Sequence, residues 1–208
     1  MKQYLERRIN DRVQSGESGF TLIELLVVML IILILLAIAI PTFLGIINNA
    51  HNTGAASNLG NAIIEASADY TQDNGQFGAL VASQVVTELQ SMEPSLVFTN
   101  GALVTSMSNV NASVQVDACS NSTTTGNCQW IAMTAFSVAA GACYYVWVNK
   151  GPAVADTAPG GTWSGSAVTG GNLPQGTVYG TSGTTVMTTC NVLTQSVANA
   201  QVGGFPAA

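Results

Sequence analysis

Residues 20–40 (FTLIELLVVMLIILILLAIAI) are apolar at every position except Thr21 and Glu24. At about 1.5 Å per residue this run makes roughly 31 Å of helix, enough to cross the hydrocarbon core of a bilayer. From Phe43 onward the pattern changes. Phe43, Ile47, Ala55, Leu59, Ala62, Ile63, Ala66 and Tyr70 recur at helical spacings and mark one apolar face of an amphipathic continuation. Gly45, Gly54 and Gly60 each weaken that stretch by about 1 kcal/mol relative to Ala, so it needs packing to persist. Pro41 lies between the two stretches. Its ring removes a hydrogen bond and clashes with the preceding turn, which predicts a kink or local melting there; the alternative is a helix end at the membrane exit. Asn74 and Gly75 close the pattern with residues suited to a left-handed helix cap.

Beyond residue 75 the chain becomes β-like. Residues 96–98, 102–107, 112–117, 129–138, 143–149 and 184–193 are rich in β-branched and aromatic side chains, and 130–138 with 143–148 form the clearest hairpin. Residues 150–183, dense in Gly, Pro, Ser and Thr, are expected to be a long surface loop. The pattern predicts an α+β fold, with one long N-terminal helix packed on an antiparallel sheet.

Charge divides the chain further. Only 8% of residues are charged, against about a quarter in ordinary soluble domains, and the net charge is −6. Lys2, Arg7, Arg8 and Arg12 precede the apolar run, and Lys150 is the one basic side chain after it apart from His51. This leaves no basic surface for a phosphate backbone, so direct nucleic-acid binding is not expected. Disorder is excluded as well, because it requires high charge and few apolar residues. A secretory signal would have a shorter apolar core and a small-residue cleavage site, whereas Pro41-Thr42-Phe43 follows here. The cluster of cations before the span predicts a single pass with the N-terminus in the cytoplasm and the bulk of the chain outside. Glu24 is the anomaly. A carboxylate in hydrocarbon costs several kcal/mol (roughly 2–4) unless paired, and no Lys or Arg lies within the span. Its bland alternative is to reach the headgroup layer from near the cytoplasmic end.

The run from Gly19-Phe20-Thr21-Leu22-Ile23-Glu24 to Ala37-Ile38-Ala39-Ile40-Pro41 resembles the class III signal of type IV pilins and pseudopilins. The resemblance implies that a prepilin peptidase cuts between Gly19 and Phe20 on the cytoplasmic side and N-methylates Phe20. It also implies a partner for Glu24, the α-amino group of Phe20 on a neighbouring subunit, met as helices stagger into a filament. The domains implied are a leader at 1–19, a transmembrane or filament-core helix at 20–41, its amphipathic continuation at 42–75 and an extracytoplasmic β domain at 76–208. The segment Asp69-Tyr70 to Asp73-Asn74-Gly75-Gln76-Phe77 resembles the one that closes the long helix in many pilin-like proteins, especially type II secretion pseudopilins; Gly78 stands where a proline often follows.

Cys119, Cys128, Cys143 and Cys190 all fall on the exported side, where disulfides persist. Three pairings are open. The favoured one joins Cys119 to Cys128 across a small loop and Cys143 to Cys190, tying the long loop to the sheet. No zinc motif is present, and His51 is remote from the β region, so neither a metal centre nor a nucleophile–histidine pair is expected. Lys150 opens a Gly-Pro loop and is expected to be a solvated turn residue. Asp69, Asp73 and Asn74 carry calcium-type oxygens, but the EF-hand spacing is absent and helix capping is preferred. Asn111-Ala112-Ser113 and Asn121-Ser122-Thr123 match the short Asn-linked glycosylation pattern. Residues 97–208 carry only Asp117, Lys150 and Asp156 as charges, which suits a subunit of an array.

These features predict a non-enzymatic, cofactor-free structural subunit of a type IV pilus. Its implied partners are other copies of itself, prepilin peptidase, inner-membrane pilus or secretion assembly machinery, and membrane lipid before assembly. The alternatives are a type II secretion pseudopilin, a minor or tip pilin, and a membrane-tethered adhesin using the 150–183 loop with Trp163 and Tyr179.

Overall fold

A computed structural model of the 208-residue chain describes residues 19–77, 82–104, 112–118, 128–152, 154–155, 164, 172–182, 187–191, 197–203 and 205. Cys119, Trp163, the leader before Gly19 and the Asn111 and Asn121 motifs lie outside these residues. The chain divides into two compact units, Met1–Gly45 and Ile46–Ala208.

The apolar run and its amphipathic continuation form one helix, α1 (Leu22–Gln72). The helix passes through Pro41 without a break, so the local melting considered from sequence does not occur. Thr42 Oγ1 donates to the carbonyls of Ala39 (2.9 Å) and Ile38 (3.3 Å), adding hydrogen bonds in the turn where the proline ring removes one. In the first unit every described side chain is exposed.

In the second unit α1 buries Ala55, Leu59, Ala62, Ala66 and Asp69, a 4-3-4-3 spacing that defines one stripe. Three of the five are alanines, which lets the helix backbone approach what it covers. A short second helix, α2 (Ala82–Met92), follows in a region expected to be β-like, and it buries Val85 and Leu89 at i, i+4 spacing. Gln90 fastens it to the sheet: its Nε2 donates to Leu96 O (2.7 Å), and Phe98 N donates to its Oε1 (3.1 Å).

Among the described residues ten strands follow: β1 (Val97–Thr99), β2 (Leu103–Val104), β3 (Ser113–Ala118), β4 (Trp130–Ser137), β5 (Ala142–Asn149), β6 (Val154–Ala155), β7 (Asn172–Leu173), β8 (Gly176–Thr181), β9 (Thr189–Cys190) and β10 (Ala198–Gln201). Six form a sheet in the order β1-β3-β4-β5-β8-β10, antiparallel throughout except for the parallel β1–β3 pair. The remaining four make two ribbons, β2–β9 and β6–β7. The β4–β5 hairpin runs from Trp130 opposite Asn149 to Ser137 opposite Ala142, and Gly141 (φ 58°) closes its turn. The expected 150–183 loop needs correction, since it holds β6, β7 and the sheet-forming β8.

Both faces of the central strands are covered. Ile131, Met133 and Ala135 of β4, with Tyr144, Val146 and Val148 of β5, join the cluster containing the α1 and α2 stripes. The alternate residues Trp130, Ala132, Phe136, Cys143, Tyr145 and Trp147 join Leu103, Val178, Cys190 and Val197 on the opposite face. This period-two division explains why β4 is buried along its whole length. Trp130 and Trp147 stack at 4.8 Å in the second cluster.

The Cys143–Cys190 disulfide joins β5 to β9 across 47 residues inside that second cluster. Cys128 is also disulfide-bonded, and no described cysteine is free. Loop-closure entropy predicts that the double variant Cys143→Ala, Cys190→Ala loses about 2–5 kcal/mol. Denaturant unfolding of the full chain in detergent, followed by tryptophan emission, measures the difference.

Candidate functional site

Thr21 immediately precedes α1, and Glu24 lies in its first turn. The two interlock. Thr21 N–H and Thr21 Oγ1 both donate to Glu24 Oε2 at 2.8 Å, and Glu24 N–H donates to Thr21 Oγ1 at 3.3 Å. This is a capping box, a Thr-x-x-Glu arrangement that satisfies backbone donors left open at a helix start. The Thr-x-x-Glu spacing is a helix-start signal in the sequence, carried by the same carboxylate that stands out for its cost in an apolar run. Phe20, Ile23, Glu24, Val27 and Val28 line one face of the helix, so the carboxylate is set among apolar side chains. Phe20 is 86% exposed, and the large apolar residues after it share that exposure. Gly19 and Phe20 both lie before the first helical residue, outside the hydrogen-bonded ladder. A protease acting there needs to unwind nothing.

A second polar group lies at the other end of α1. Asn74 (φ 54°) and Gly75 (φ 83°) take left-handed conformations, and Gly75 N–H donates to Tyr70 O at 2.9 Å. That six-residue closure is a Schellman cap. Tyr70 packs on Phe77 (4.8 Å between ring centroids), and Lys150 Nζ sits 5.9 Å from the Tyr70 ring centre. Lys150 is exposed, and its ammonium is placed over an aromatic face.

Asp69 continues the buried stripe of α1 and is only 3% exposed. Glu88 of α2 and Asp73 converge on it, with one carboxylate oxygen of each within 4.8 Å of the others. The sequence singled out Asp69 and Asp73 but missed Glu88, which only the packing of α2 brings in. Burial, reinforced by the charges of Glu88 and Asp73, raises the Asp69 carboxyl from its ordinary 3.8 to about 7.

Tyr179, expected on a free loop, is in β8 and packs edge-on against Phe205 at 4.9 Å. His51 is half-buried on α1, with no described cysteine thiol free to act beside it.

Residues 14–40 match the family model for the prokaryotic N-terminal methylation motif. The chain therefore carries the class III signal motif of type IV pilins, and the long helix followed by a mostly antiparallel sheet is a pilin-like architecture. The motif supports a type IV pilin-like or pseudopilin protein, suggests a structural rather than a catalytic one, and implies processing by prepilin peptidase. Together with the apolar helix, the motif is consistent with membrane anchoring. No curated protein and no solved structure matches the chain.

Asp69 yields a signed pH prediction. Folded Asp69 keeps its proton up to about pH 7, whereas the unfolded chain releases it near 3.8. Folding therefore binds a proton between those values, and stability falls as pH rises through that window. In chelator-treated protein the melting temperature is expected to drop between pH 4 and pH 8, and Asp69→Asn to flatten the drop. Thermal melts of both chains across that range provide the check.

Proposed function

We propose that the chain is a major-pilin-like structural subunit of a type IV pilus, cut between Gly19 and Phe20 and polymerised through α1. The observation that carries this reading is Glu24, held by Thr21 in the first helical turn on an exposed apolar face, within the methylation motif. Among the described residues the carboxylate's donors are the local ones of Thr21. Cleavage creates an α-ammonium on Phe20 of every copy, and a neighbour's ammonium offers Glu24 a full opposite charge where lipid is replaced by packed helices. The pairing sets the axial stagger between subunits. Before assembly the helix anchors the chain in the cytoplasmic membrane with its N-terminus inside; after assembly the sheet domain forms the outer layer of a surface fibre serving adhesion, motility or DNA uptake. Partners in this reading are further copies of the chain and the inner-membrane assembly machinery.

A second reading, a type II secretion pseudopilin or a minor subunit, rests on the closing segment of α1. The contact of Tyr70 with Phe77 across the Asn74-Gly75 cap supports the likeness to the aromatic-flanked segment of pseudopilins.

Intact mass and N-terminal sequencing of sheared surface material from the native host test the proposal. A chain beginning at N-methyl-Phe20 as the abundant fibre component is expected. Processed protein confined to the membrane fraction would transfer the case to the pseudopilin reading, and an uncut chain would overturn both. Glu24→Ala is expected to be cut normally but to lower the amount of sheared fibre at least about tenfold, as loss of a desolvated ion pair implies; undiminished fibre would remove Glu24 from the assembly role.

A further inference from the structure

The three carboxylates at the end of α1 are not explained by capping or by assembly. Asp69 occupies the next position of a stripe that otherwise buries Ala55, Leu59, Ala62 and Ala66. It is only 3% exposed, and its Oδ2 has no hydrogen-bond partner, although the carboxyl is hydrogen-bonded to Glu88. Glu88 Oε2 is likewise buried without one. Asp73, one turn beyond Asp69, supplies the third oxygen. A buried carboxylate oxygen with no donor carries a desolvation cost that a fold normally removes with a hydrogen bond or a cation. Lys150, the one lysine or arginine after residue 12, has its ammonium over the Tyr70 ring.

We propose that Asp69, Asp73 and Glu88 form a calcium site that clamps α2 to the C-terminal end of α1. The donor set is oxygen-only, which selects a hard cation over zinc or copper. Calcium–oxygen bonds of about 2.3–2.6 Å allow one ion to bridge oxygens that all lie within 4.8 Å of one another. Three protein carboxylates leave several of the six to eight positions calcium takes for water or backbone carbonyls, which places the site in the weak range of extracellular modules, about 10⁻⁴–10⁻³ M. The ion neutralises the repulsion among the three acids and supplies Asp69 Oδ2 and Glu88 Oε2 with a partner. Its structural effect is to brace a helix pair otherwise joined at this point by the Asp69–Glu88 side-chain hydrogen bond.

The site belongs to the second unit and does not depend on filament assembly, so the test uses the full chain solubilised in detergent. Calorimetric titration with CaCl₂ at pH 7.5 after chelator treatment is expected to show one site with a dissociation constant of about 0.1–1 mM. The melting temperature should rise and saturate over the same range, whereas NaCl of equal ionic strength leaves it unchanged. Glu88→Gln and Asp73→Asn, both at half-buried positions, should weaken binding at least tenfold without lowering the melting temperature in chelator, since each removes a like charge from the cluster. Absence of binding at 10 mM CaCl₂ would overturn the proposal and leave the cluster to hold its proton instead. Unchanged binding in both variants would also overturn it, by placing the ion elsewhere.

Discussion

An apolar helix surface that the chain itself leaves uncovered is the constraint on which the rest depends. From Leu22 to Ile46 the side chains are exposed, including Phe43 and Ile46 beyond the proline. At about 25 cal/mol per Å² such a surface is intolerable in water and must be taken up by lipid or by other helices of its own kind. The methylation motif at residues 14–40 overlaps this surface, so the processing signal and the part that must find partners are one segment.

The second unit shows the opposite arrangement. Its central strands are buried on both faces, one under the helical stripe and the other under the β2–β9 ribbon and the disulfide. A sheet so enclosed needs little charge in its strands, which accounts for the scarcity of ionisable residues after residue 97 without invoking disorder. The exception is the buried Asp69. Its place on a helical stripe otherwise made of Ala and Leu couples the pH response of the domain to the packing of α2 on α1.

How much of this was legible in the sequence varied with the range of the signal. α1 was legible because its apolar run and its stripe are periodic over many turns, and the cap at Asn74-Gly75 because two residues suffice to make it. The β4–β5 hairpin was legible from two aromatic and β-branched runs around a glycine turn. β8 was not: Gly176 and Gly180 bracket Thr177, Val178 and Tyr179, and the same composition signals a turn when no neighbouring strand is visible. α2 was missed because its buried contacts amount to Val85 and Leu89, too few for a period to stand out. The convergence of Glu88 on Asp69, residues 19 positions apart on different helices, depends on tertiary packing and has no local signature. The capping box at Thr21 and Glu24 is a local signal, but the same carboxylate also bears the cost of lying in an apolar run, and the spacing alone does not separate the two roles.

The lysine resting on Tyr70 has a practical corollary. Downstream of Arg12 the chain offers trypsin one bond, after Lys150, and that residue is exposed at the end of β5. Routine peptide mapping would return a few fragments too long and too apolar to detect, so surveys by mass spectrometry would under-count the protein even where it is abundant. The same scarcity makes Lys150 a single-site handle: one amine-reactive fluorophore would label the folded domain at a known position beside the helix end.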